Sequence, residues 1–333
     1  MASCDTAVIL AAGIGKRMKS KTTKVLHHIM GKPMLSYLID ATAGFNRVFV
    51  VKKGAKDVCE LIGEKGEIAF QRDVLGTGNA LLCAKPFIKG DFVVVPGDVP
   101  LLSKRTIKGL ISFHFKEKAD ATILAARVKD PKGYGRIIKE SRVRGSEGQR
   151  VRIVEEKDAS EKERKVNLVN TGIYCFNKEI FDCLERLDNK NKQGEYYLTD
   201  AFKLLSDMKK RVSLLESYDE METMGINTRY HLAIAEDFLR KKILREFMES
   251  GVTIKDINST YIERGVQIGK DTTIFPNTYI FGKTIIGEDC TIGPCVWISN
   301  SKIYDKVRVY FSYIENSIIK EENNVYSFFH QKN

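Results

Sequence analysis

Apolar runs alternating with helical periods fill residues 1–227, and a different rhythm takes over after Gly251. Residues 7–10, 47–51, 92–95, 121–128 and 171–176 read as strands, each a short apolar or β-branched stretch bounded by turn formers. Behind Pro33, which suits a first helical position, Leu35, Leu38 and Ile39 share a helix face. Thr199 suits an N-cap ahead of Phe202 and Leu205. Leu232, Ala235, Leu239, Ile243 and Phe247 mark a longer amphipathic helix that Gly251 stops. Strands alternating with helices predict an α/β domain with a mostly parallel sheet.

From Ile262 onward, isoleucine recurs every six residues, at 268, 274, 280, 286, 292 and 298, three times with glycine following. A period of six is neither a helix face nor the alternation by two of an antiparallel sheet. It is the signature of a parallel β-helix, with isoleucines stacked inside each coil and polar residues at the corners. Three hexads per coil make about three and a half coils between Ile262 and Val325. The spacing slackens to five or six over Val309, Ile314, Ile319 and Val325. The expected division is an α/β domain over 1–227, a connecting helix over 228–250 and a short β-helix over 251–333.

Composition narrows the class. The 333 residues leave room for two domains, and 43% hydrophobic with 29% charged residues is globular. No apolar run approaches the ~20 residues of a membrane span, and the N-terminus lacks a secretory pattern. Seven cysteines with no C-x-x-C pair read as reduced thiols, so a cytoplasmic location is expected. The net charge of +11 admits nucleic acid, anionic lipid or phosphorylated small molecules. The basic excess over 129–165 and 240–245 is mixed with glutamates and has few aromatics, which reads as solvated surface and not as a nucleic-acid module.

The candidate chemistry starts at Leu10-Ala-Ala-Gly-Ile-Gly-Lys-Arg-Met18, followed by Lys24-Val-Leu-His27 and Gly31-Lys-Pro-Met34. A glycine turn after a strand lets backbone N–H groups face anionic oxygen at Gly13 and Gly15. Arg17 and Lys24 add full positive charge. On this segment alone a triphosphate cradle and an ordinary turn stand level. A dinucleotide fingerprint needs a third glycine where Met18 stands and an acid where Lys52-Lys53 end the second strand, and the P-loop ending is missing. Asp98 follows the strand 92–95, at a carboxyl end where α/β sheets bind ligands. Gly133 and Gly135 suggest another close backbone approach.

These motifs occur together with Leu75-Gly-Thr-Gly78, Gly97-Asp-Val-Pro-Leu-Leu102, Gly133-Tyr-Gly-Arg-Ile137, Ile153-Val-Glu155, Val169-Asn-Thr-Gly-Ile-Tyr174, Glu195-Tyr-Tyr-Leu-Thr-Asp200 and Gly225-Ile-Asn227. In that order the chain resembles, over nearly its whole length, the bacterial N-acetylglucosamine-1-phosphate uridylyltransferase family, the first half of a bifunctional enzyme. The resemblance implies a Rossmann-like nucleotidyltransferase domain followed by a short left-handed β-helix that joins subunits as a homotrimer. It implies UTP and N-acetylglucosamine-1-phosphate as substrates and Mg²⁺ as cofactor, held by Asp98 and Asn227. Arg17 and Lys24 would neutralise phosphates. Leu10, Ala11, Ala12, Gly13, Gln71, Gly76 and Thr77 would bind the nucleotide, and Gly135, Glu155, Asn170 and Thr199 the sugar. Neither nucleic acid nor membrane is an expected partner.

Three departures stand out. Lys16 replaces a frequent threonine, Pro96 takes a position often held by Tyr or Asn, and the only histidine after His231 is His330. With the repeats ending early, the family's acetyltransferase activity is expected to be absent.

Overall fold

The computed structural model describes residues 4–140, 150–320, 325 and 330–332. It falls into two compact units, residues 1–27 with 33–231, and residues 28–32 with 232–333. The first is built on a sheet whose strands, in chain order, are β1 (Cys4–Leu10), β2 (Asn46–Lys52), β3 (Glu67–Gln71), β4 (Asp91–Pro96), β5 (Ala121–Arg127), β6 (Gly135–Glu140), β7 (Arg150–Val154), β8 (Leu168–Phe176) and β9 (Val212–Glu216).

Along the main path the order is β9-β5-β8-β4-β1-β2-β3, with β6 and β7 attached through β8. Every neighbouring pair on that path is parallel except the two that β8 makes. The strands read as continuous apolar runs because helices cover both faces. Val8, Val50, Val94 and Ile123 face one apolar cluster with Leu81 and Phe202, while Ile9, Phe49, Val95 and Leu124 face another with Leu38 and Leu110.

Two local expectations shift. Pro33 is the N-cap of the helix Met34–Ala41, one residue outside the helix, since its extended ψ of 141° lies off the helical region. Thr199 caps nothing; it lies in the 3₁₀ turn Leu198–Asp200, and the helix Ala201–Asp207 follows with no side-chain cap. The Thr199 hydroxyl has a different partner, described below.

The buried imidazole of His114 sits in the helix Lys104–Lys116, with Nδ1 2.8 Å from the Thr122 hydroxyl and Nε2 3.9 Å from the Asp91 carboxylate. Burial pushes its pKa down to about 4, against a smaller opposing pull from Asp120. A base with a depressed folded pKa stabilises the fold fully above its unfolded value near 6.5 and loses that contribution as pH falls toward 4. Urea midpoints should fall across this window by up to about 3 kcal/mol of stability. His114→Gln should flatten the slope; equal slopes in both proteins would remove His114 as its source.

In the second unit the six-residue period becomes three parallel ladders. Ile262, Ile280 and Ile298 stand in register at 18-residue spacing, and the step shortens to 16 between Ile298 and Ile314, which accounts for the slackened period. All four are fully buried. Asp271, Asn277, Asp289, Asn300 and Asn316 turn corners with φ between +46° and +61°, a region in which short polar side chains are over-represented. Polar residues also go inside: Thr278 and Thr284 are buried and donate to the carbonyls of Phe275 and Phe281 at 2.8 and 2.6 Å. On the outer face of one ladder Tyr261, Tyr279, Trp297 and Tyr313 stack ring on ring, with centroids 5.2 to 6.2 Å apart. No helix among the described residues is long and apolar enough to cross a membrane.

Candidate active site

Strand order reverses between β1 and β4, and open α/β sheets bind ligands outside the carboxyl ends of the strands at such a point. The loops leaving these strands are stitched together, the Gly97 N–H donating to the Leu10 carbonyl at 2.8 Å and the Ala11 N–H to the Val50 carbonyl at 2.8 Å. Beside them opens a cleft of about 590 Å³. Its walls include Leu10, Ala11, Ala12, Gly13, Lys24, Gln71, Gly76, Thr77, Asp98, Glu155, Asn170 and Thr199, residues scattered over nearly two hundred positions of the chain.

The Lys24 ammonium donates to Asp98 Oδ2 and, at 2.7 Å, to Asn227 Oδ1. Lys24 is only 9% exposed. Gly15 makes room for it: its φ is +67°, and a Cβ there would lie 2.6 Å from the Lys24 Cβ. Asn227 is brought to Asp98 by the backbone, where the Ile226 N–H donates to the Asp98 carbonyl at 2.8 Å. Behind it, the Asn227 N–H lies 3.4 Å from His231 Nδ1.

Another set of residues here comprises the groups expected to bind sugar. Thr199 Oγ1 donates to Glu155 Oε1 at 3.0 Å. Burial pushes the Glu155 pKa up, and the carboxylates of Asp200, Asp158 and Glu195 add to that while the Thr199 bond opposes it. Asn170 Nδ2 donates to the Tyr174 hydroxyl at 2.7 Å, and Asn170 pairs in register with Gly135. A side chain at Gly135 would stand 3.5 Å from the Glu155 oxygens, so Gly135 borders Glu155 without itself lining the cleft. Pro96 does line the cleft, and Gly172 lets it pack there: with φ +77°, a Cβ at 172 would lie 2.9 Å from the Pro96 ring.

Gln71, also in the wall, is buried, both of its amide protons engaged, by the Gly76 carbonyl at 3.2 Å and Asn79 Oδ1 at 2.8 Å. The Thr77 hydroxyl accepts from the Leu198 N–H at 3.1 Å and so ties the glycine turn to the Thr199 segment.

Arg17 is not brought into the cleft. It is exposed in the turn Lys16–Met18, near Gly133, whereas its neighbour Lys16 lines the wall. Sequence reasoning missed Tyr174, Lys157 and Gln193, which also line the cleft, with Lys157 Nζ donating to Gln193 Oε1 at 2.6 Å. Tyr174 stands inside a motif already singled out and Lys157 lies two residues beyond another, so their closeness to Asn170 and Glu155 was the available signal.

A glycine loop beside an acid at the switch point of a mostly parallel sheet, with hexapeptide coils in a second unit, is the arrangement expected of a nucleotidyltransferase. Residues 6–220 match the nucleotidyl transferase family, and residues 265–300 the bacterial transferase hexapeptide repeat. The chain belongs to the family of the bifunctional GlmU proteins. It is 46% identical over 330 residues to the GlmU protein of Caldicellulosiruptor saccharolyticus, covering 96% of this chain and 70% of that one. To that of Clostridioides difficile it is 41% identical over 333 residues, covering 96% and 70%. Among solved structures, a UDP-glucose pyrophosphorylase in complex with UDP-glucose superposes with a TM-score of 0.54 over 72% of this chain and all of its own, at 19% identity, which speaks to the fold.

Proposed function

We propose that this chain transfers a uridylyl group from UTP to N-acetylglucosamine-1-phosphate, releasing pyrophosphate, with Mg²⁺ held by Asp98 and Asn227. The observation that carries the reading is the convergence, in one cleft, of the Gly13–Gly15 loop, Lys24 and Asp98, and the polar group around Glu155, with Asn227, which does not itself line the cleft, joined to it by the bond from Lys24. A phosphate oxygen of the sugar phosphate attacks the α-phosphorus and the bond to the β-phosphate oxygen breaks, its electron pair leaving with pyrophosphate. The nucleophile is already an anion, so no general base is required. The difficulty is bringing two anions together, and positioning with charge neutralisation supplies the catalysis.

Asp98 and Asn227 fit a hard divalent ion. Both offer side-chain oxygen, and both already face a single cationic nitrogen. Two protein ligands suit Mg²⁺, which keeps waters and takes substrate phosphate oxygens. No cluster of three or more His, Cys, Asp or Glu side chains competes for that role among the described residues. When bound, the ion offsets charge on the triphosphate.

The chain's own groups do the rest. Loop amides from Gly13 to Gly15 face the phosphates and Lys24 neutralises them, with Arg17 approaching from outside the cleft. With both Gln71 amide protons engaged, its carbonyl oxygen remains to accept from the uracil N3–H, a donor that cytosine lacks. Gly76 and Thr77 share that edge of the base, while Leu10, Ala11 and Ala12 line the other side. Glu155, Asn170, Thr199 and the Gly135 backbone hold the sugar hydroxyls and N-acetyl group.

A pyrophosphate-release assay over a panel of nucleotides and sugar-1-phosphates tests this. UTP with N-acetylglucosamine-1-phosphate should give the highest kcat/KM, and a sugar phosphate lacking the N-acetyl group should fall by about 100-fold. Preference for the latter, or for another nucleotide, would overturn the assignment.

A further inference from the structure

Lys24 is bonded to the two oxygens just assigned to the metal, and that has a consequence for how the site fills. Its ammonium donates to Asp98 Oδ2 and to Asn227 Oδ1 at 2.7 Å, with the lysine almost wholly buried. The backbone around it is pinned on each side. Gly15 packs against the Lys24 Cβ, Ile226 is bonded to the Asp98 carbonyl, and the Thr23 hydroxyl donates to Asp57 Oδ2 at 2.8 Å. The movable part is therefore the four-carbon stem with its charge.

Mg²⁺ takes oxygen ligands at about 2.0–2.1 Å. One ammonium bridging both oxygens and one ion bridging both oxygens are alternatives, because the two cations would share the same space and repel. Other anions would draw the lysine away from the pair. The Gly13–Gly15 loop, against which its stem packs, is where the phosphates are placed.

We infer that Lys24 is an exchangeable occupant of the Asp98–Asn227 pair. It holds the pair until a triphosphate draws it away, so that a divalent ion is accepted together with the nucleotide and poorly without it. The inference rests on the assignment of Asp98 and Asn227 as metal ligands. It gives the lysine two duties in sequence, counter-charge for the acid first and counter-charge for the phosphates afterwards. By linkage, metal and nucleotide tighten each other's binding.

The test is Mn²⁺ binding without nucleotide, read by electron paramagnetic resonance of the free ion. Lys24→Met should bind Mn²⁺ at least tenfold more tightly than the unmodified protein, and adding Asp98→Asn should abolish the gain. Lys24→Arg, which keeps a cation there, should stay weak. If Lys24→Met lacks the native circular dichroism spectrum, Lys24→Gln takes its place with the same expected gain. Unchanged or weaker Mn²⁺ binding in a folded, neutral variant overturns the inference. Failure of the underlying assignment looks different: Asp98→Asn alone would then leave Mn²⁺ binding in the presence of UTP unaltered.

Discussion

Asp98→Ala should lower the rate of pyrophosphate release from UTP and N-acetylglucosamine-1-phosphate by about 1,000-fold or more. Two losses combine in one substitution. On the proposed assignment the metal would lose its only charged protein ligand, since Asn227 would contribute a neutral oxygen. Lys24, buried and bonded to Asp98 and Asn227, loses the carboxylate that balances its charge. The effect should fall on kcat more than on the KM for either substrate, because the charge being neutralised grows as the two anions meet. A coupled pyrophosphate assay with a circular dichroism check of folding measures it, and turnover near that of the unmodified protein would sink the metal assignment.

Ile280→Ala should destabilise the second unit by about 2–5 kcal/mol. Ile280 is fully buried and sandwiched in register between Ile262 and Ile298, so no solvent or flexible loop is at hand to fill the space left by the lost methyls. A coil cannot collapse inward without breaking the parallel ladders above and below it, which places the expected cost in the upper part of that range. Urea unfolding followed by circular dichroism reads the change. Every residue assigned to the active site belongs to the first unit, so turnover per folded molecule should be preserved. A midpoint shift of less than about 1 kcal/mol would show that the coil repacks.

What the sequence revealed depends on how regular each physical signal is. The isoleucine period was legible because a β-helix repeats one constraint many times, and the β1 and β4 loops because a buried strand ending in Gly or Gly-Asp is an unusual pattern. The hairpin of β6 and β7 was hidden. Its alternation carries Arg136, Lys139 and Arg152, which read as solvated charge, yet Arg136 is 2% exposed, paired with Glu156 at 2.6 Å and bonded to the Tyr134 carbonyl. A buried cation balanced by a partner twenty residues away leaves no trace in composition. β3 and β9 were missed for the opposite reason, being short edge strands of mixed polarity.

The cleft residues divide the same way. Asp98 announces itself by its place after a strand, whereas Glu155 and Asn227 gain meaning only from neighbours far away in the chain. Thr199 was legible as a hydroxyl at a turn, but its partner was not, because a cap and a bond to Glu155 ask for the same residue type.

The protein contains a single tryptophan, Trp297, and it lies in the stack with Tyr279 and Tyr313 in the second unit. Intrinsic indole emission is therefore a local reporter of the coils, with neighbouring tyrosines close enough to feed it energy. The nucleotide cleft, which holds no indole, is dark to that probe. Comparing an emission melt with the decay of catalysis would time the loss of the coils and of the cleft separately in a single sample.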